Sequence, residues 1–147
     1  MVLSSVLAAT LTIVGMVDSV ATQGAPSQAT APASSAKVPD TPAGKALNEF
    51  VASFNEGGEK RKAWVESRTT VSQEQAAGIL QQDSAFLAEH GPVTVVKVPQ
   101  SSATSIQAII RHAKSGAHGH LTIEVGAESP YKVTNMQLRG ATPEEIK

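Results

Sequence analysis

At "HGPV", from His90 to Val93, the apolar rhythm of this chain changes. Before it, large apolar residues recur at the three-and-four spacing of a helix. After it they alternate every second residue, as in a strand with one buried face. A run of helices followed by a run of strands is the order of an α+β domain.

The helical half divides into three. Thr41 is suited to cap a helix with Pro42 at its first position, where the missing N–H costs nothing. Leu47, Phe50, Val51 and Phe54 then form one apolar stripe that carries no polar group, and Gly57-Gly58 stops it. A second helix over Glu59 to Ser67 has Trp64 and Val65 as its only large apolar residues. Its Lys60-Arg61-Lys62 run, beside Glu56, Glu59 and Glu66, reads as a solvated face. Ser72 and Gln75 fit a capping box for a third helix reaching Glu89. Its stripe of Ala76, Ile79, Leu80, Phe86 and Leu87 is interrupted by Asp83, and His90 at its end suits the helix dipole.

Four strands are expected at residues 93–98, 104–114, 119–126 and 131–139, with turn residues at each joint. Ile106, Ala108 and Ile110 share one face of the second strand, Leu121, Ile123 and Val125 one face of the third, and Met136 and Leu138 one face of the fourth. The opposite face is polar, with Arg111 and Glu124 placed to form a cross-strand ion pair. The fold class is therefore α+β, three N-terminal helices packed on one face of a curved antiparallel four-stranded meander.

The folding part is shorter than the chain. Val2 to Val17 is almost continuously apolar, too short for a membrane span of roughly 20 residues and suited to a signal peptide over residues 1–21, although no basic residue follows Met1. Residues 22–40, rich in Ala, Pro, Ser and Thr, read as a flexible linker. That leaves a single domain at 41–140 and a tail at 141–147. The expected location is secreted or in the cell envelope, and an uncleaved N-terminus would make it a membrane-anchored envelope protein. With 12 Lys and Arg against 13 Asp and Glu, the charge balance argues against nucleic acid or an anionic membrane as partner. The absence of cysteine excludes disulfides, thiolate nucleophiles and thiolate metal sites together.

The stretches "TPAGKALNEFVASFNEG", "HGPVTVVKV" and "LTIEVGAESPYKVTNMQLR" resemble the nuclear transport factor two-like, or cystatin-like, α+β cone. More narrowly they are similar to the accessory domain ahead of the catalytic domain in secreted serine hydrolases of beta-lactamase type. The resemblance spans residues 40–140. It implies a non-catalytic accessory or binding domain whose partner is a hydrolase domain or a second copy, met through the exposed sheet face. "GATPEEIK" reads as a turn and a helix start, where a linker to the hydrolase domain begins in that family. The one Ser-x-x-Lys match, Ser34-Ser35-Ala36-Lys37, lies in the linker without the other motifs of that nucleophile and is read as a chance match.

Little else carries chemistry. There is no Gly-x-Ser-x-Gly elbow and no phosphate-cradling loop, so no cofactor is expected. His118 and His120 share a hairpin tip without an obvious third ligand, so no metal is expected either. Any hollow between helices and sheet would be lined by Phe50, Phe54, Trp64 and Phe86 from the helices and by Ile106, Ile110 and Met136 from the sheet. Asp83, on an apolar stripe, and His112, in phase with Ile110, are the candidates for an acid–base pair there, the alternative being a small isomerase or dehydratase. Interface candidates on the outer face are Gln107, Arg111, Glu124, Gln137 and Arg139, with Thr122 among them.

Overall fold

The computed structural model describes residues 36–147. The expected signal peptide, most of the linker, and Ser34 and Ser35 lie outside the described residues. Helix α1 (Pro42–Glu56) opens with Thr41 Oγ1 accepting from the Gly44 amide at 3.1 Å, and closes on Gly57 at φ 65°. Helix α2 (Gly58–Arg68) follows at once. Helix α3 (Gln73–His90) starts from the reciprocal Ser72–Gln75 capping box and ends at Gly91, φ 76°.

Strands β1 (Val93–Ser101), β2 (Ser105–His112), β3 (His118–Val125) and β4 (Val133–Gly140) form one antiparallel sheet in sequence order. The fourth starts later than expected because Tyr131, at φ 49°, still belongs to the turn and donates its amide to the Glu128 carbonyl. Three helices thus pack against a four-stranded antiparallel meander.

The core lies between α1 and the sheet. Leu47, Phe50 and Phe54 meet Ile106, Ala108 and Ile110 of β2, Leu121 and Ile123 of β3, and Val93 and Val95 of β1. Apolar burial of this kind stabilises by about 1.5–3 kcal/mol per large side chain. Asn55 fastens α1 to the sheet edge. Its amide donates to the Val93 carbonyl at 2.8 Å and its oxygen accepts from the Val93 amide at 2.7 Å, as a neighbouring strand would. Helices α2 and α3 pack on α1 and on each other. Phe86 carries α3 to the sheet, edge-on to His112.

The register overturns one expectation. Arg111 pairs with His118 and Glu124 with Ser105, at opposite ends of the β2–β3 ladder, so they form no ion pair. Glu124 instead accepts from Asn135 on β4 at 3.1 Å.

The outer face is less open than its alternation implied. Ile109 points away from the core yet is fully buried. Its register neighbours are Lys97 and His120, and Glu145 reaches both, with its carbonyl 3.4 Å from Lys97 Nζ and its carboxylate 2.6 Å from His120 Nδ1. The tail therefore turns back as a one-turn helix, α4 (Pro143–Ile146), across this part of the outer sheet face.

Candidate functional site

Helix α1 crosses β1, β2 and β3, and Val133 at the start of β4 is buried, but the inner face of the C-terminal part of β4 is open, so Leu138 remains 46% exposed. Between that uncovered face, α1 and the C-terminal half of α3 lies a hollow of about 530 Å³. Its walls are apolar: Phe50 and Phe54, Phe86, Ile110, Met136 and Leu138. Gly119 helps shape it, since a Cβ there would stand 2.9 Å from Leu138 Cδ1 and 3.3 Å from Ile110 Cγ1. Two residues expected on the wall are elsewhere. Trp64 is buried behind Phe50, edge-on with ring centroids 5.6 Å apart, and Ile106 lies in the core four residues along β2 from Ile110.

The polar end of the hollow is built from imidazoles. His112, on the inner face of β2, is only 4% exposed; its ring lies 5.1 Å from Phe86 and 5.5 Å from His90. His90 packs against the same Phe86 at 4.4 Å, and His118, the first residue of β3, is part of the wall. Burial, then the neighbouring His90 and His118, hold His112 below its ordinary value of 6.5, which favours the neutral ring. Its Nδ1 is sealed from solvent without a hydrogen-bond partner.

Asp83 lines the same hollow, but its carboxylate is engaged on the other side. It accepts from Arg61 Nε at 2.7 Å, and among the described residues it makes no hydrogen bond to His112. Here the reading of Lys60-Arg61-Lys62 as a solvated face fails. Arg61 is 2% exposed, with its guanidinium carbon 4.6 Å from the ring centroids of both Phe50 and Trp64. Its Nη1 donates to Ser53 Oγ at 3.3 Å, so the α1 stripe does carry a polar group, a serine that also donates to the Phe50 carbonyl. Arg61 Nη2 has no conventional acceptor, and the aromatic faces are what it meets. Burial lowers the pKa of Arg61, Asp83 opposes that, and the group stays a cation. The signal was present in the sequence: Arg61, Trp64, Val65 and Arg68 follow the spacing of a buried stripe.

On the outer face, Gln107 and Arg111 are half-buried, while Glu124, Gln137 and Arg139 are exposed. Arg139 is committed to the tail, donating to both carboxylate oxygens of Glu145. That bond first, and the Thr142 amide second, push Glu145 well below the usual carboxylate range. The two histidines of the hairpin tip are divided in their roles: His120 is covered by Glu145, whereas His118 lines the hollow. Among the described residues no three His, Asp or Glu side chains gather as metal ligands would, and no helix is long and apolar enough to cross a membrane. Compared with known protein families, curated proteins and solved structures, the chain matches none.

Proposed function

We propose that the chain is a secreted, non-catalytic binding domain of the nuclear transport factor two-like type, whose hollow takes a small and largely apolar ligand. The observation that carries this reading is the hollow itself: about 530 Å³, mainly aromatic and aliphatic walls, and a few polar groups at one end. Those are the dimensions and lining of small-molecule sites. The outer face around Gln107, Arg111 and Gln137 is the surface offered to a hydrolase domain or a second copy, as in the accessory domains the sequence resembles. Titration with the neutral fluorophore N-phenyl-1-naphthylamine tests the reading. Saturable one-to-one binding that Leu138→Trp or Met136→Trp abolishes is expected; no binding, or binding indifferent to both substitutions, would overturn it.

A second reading, a small pocket enzyme, draws on Asp83 and His112 lining one hollow. It requires the carboxylate to act on the imidazole, whereas Asp83 is bonded to Arg61. An NMR titration of His112 in the native chain and in Asp83→Asn separates the two. Under the binding reading the His112 pKa stays put; a fall of about one unit on losing the carboxylate would favour the enzyme.

A further inference from the structure

Resting on the binding reading above, we infer that the ligand is a monocarboxylate with an apolar body, its acid group accepting hydrogen bonds from the imidazoles at the α3–β2 end of the hollow. The argument begins with which charges are free. Among the described residues the only carboxylate on the wall, Asp83, is held by the Arg61 guanidinium at 2.7 Å and so is already paired with a cation. The other polar residues on the wall include Gln82 and, at its α3–β2 end, His90 and His112, with His118 at the start of β3. The rings of His90 and His112 are close enough for one small group to be shared, 5.5 Å apart.

His112 is the most informative of the three. Among the described residues its Nδ1 is enclosed and unpartnered, whereas its Nε2 is not among the sealed, unpartnered atoms. The enclosed nitrogen costs least as a bare lone pair, which puts the proton on Nε2 as a donor. A ligand carboxylate there gains a charge-assisted bond, whereas a ligand ammonium meets a donor.

The surroundings agree. Lys114 Nζ lies beside α3's last turn, 2.7 Å from the Ala88 carbonyl, while the Arg139 guanidinium is on the outer face with its charge met by Glu145. Glu89 is the remaining acid near His90, 3.8 Å away and largely in solvent. A bound carboxylate favours the charged form of an imidazole beside it, so binding should take up protons.

The test displaces N-phenyl-1-naphthylamine with three ligands of one body: 6-phenylhexanoate, 6-phenylhexanol and 6-phenylhexylammonium. The acid is expected to bind at least about tenfold tighter than the alcohol, and the amine weaker than both. Acid affinity should rise from about pH 7.5 to about pH 6, and calorimetry in buffers of different ionisation enthalpy should show proton uptake. His112→Phe should bring the acid to the level of the alcohol. If that variant does not fold, His90→Gln should weaken the acid more than the alcohol. An alcohol or amine that matches the acid, or acid binding with no proton uptake and no response to either substitution, overturns this inference while the hollow remains a binding site. Failure of N-phenyl-1-naphthylamine to bind overturns both readings.

Discussion

Arg61 donates its Nε to Asp83 at 2.7 Å, and this pair joins α2 to α3 at the back of the hollow. The two ends differ: the arginine side chain is 3% exposed and the aspartate 23%. A guanidinium enclosed by Phe50 and Trp64 needs a counter-charge, and Asp83 supplies the only one it has among the described residues. The carboxylate that interrupts an apolar helix stripe is thereby accounted for by a neighbour rather than by chemistry in the hollow.

Replacing Arg61 should therefore be costly in a way that depends on the substitute. Arg61→Ala removes the aromatic stacking, the Ser53 contact and the ion pair, and should destabilise by about 3 kcal/mol. Arg61→Met keeps much of the packing, and Arg61→Met with Asp83→Asn also removes the stranded acid, so the double variant should recover at least half the loss. Chemical denaturation of the three proteins checks the order. A double variant no more stable than Arg61→Ala would show that neither the lost packing nor the stranded acid accounts for the cost.

His112 predicts a pH dependence of known sign. Its folded pKa lies below 6.5, so on acidification the unfolded chain binds a proton before the folded one does. Above about pH 7 both states hold it neutral and it contributes no slope. Below 6.5 stability falls with pH until the folded imidazole also protonates. His112→Phe removes both the proton and the enclosed lone pair, and should flatten this part of the stability curve and add about 1 kcal/mol near pH 6. Denaturation midpoints of both proteins at about pH 5.5 and 7.5 give the comparison.

The contrast between α1 and α2 shows what was legible in the sequence. Helix α1 was readable because its cap, its Pro42 and its four apolar positions are all local, as was the period-two alternation of β2 and β3. Arg61 was misread because a charged run looks solvated until another helix brings aromatic faces to it. The burial of Ile109 was not legible for the same kind of reason. Its cover, Glu145, comes from residues that are distant in the chain, and no local pattern announces that contact. The hollow was legible as a space between α3 and the sheet, and five of its seven expected wall residues line it. Its position under β4 depended on how far α1 reaches, which no periodicity encodes.

Asn55 stands in for a strand at the edge of β1, and its two bonds should be separable. Asn55→Ala loses both and should cost about 1–2 kcal/mol, because the Val93 amide and carbonyl lose their partner at a half-buried edge. Asn55→Asp keeps an acceptor for the Val93 amide but sets a carboxylate against the Val93 carbonyl, so it should be no better than alanine. Hydrogen exchange at the Val93 amide reports the loss directly, with faster exchange expected in Asn55→Ala and much less acceleration in Asn55→Asp. Unchanged exchange in both would mean that the edge is protected by other means.

The tail makes the last prediction. Glu145 joins Arg139, His120 and the Thr142 amide, and its carboxyl is held well below the usual carboxylate range chiefly by the Arg139 bond. A carboxylate with a depressed folded pKa contributes stability that is fully present above its ordinary 4.5 and is lost only as pH falls through the folded value. The tail should therefore remain docked at about pH 4, where free glutamates are substantially protonated. Glu145→Gln weakens the Arg139 contact and removes the charge, so α4 should leave the outer face at every pH. With it gone, Ile109 is uncovered and the amides of Thr142 to Ile146 should exchange at the rate of an unstructured chain. Amide exchange at about pH 4 and about pH 7 in the native chain and the variant decides the matter: equal protection of the tail in both proteins would mean that Glu145 does not hold it.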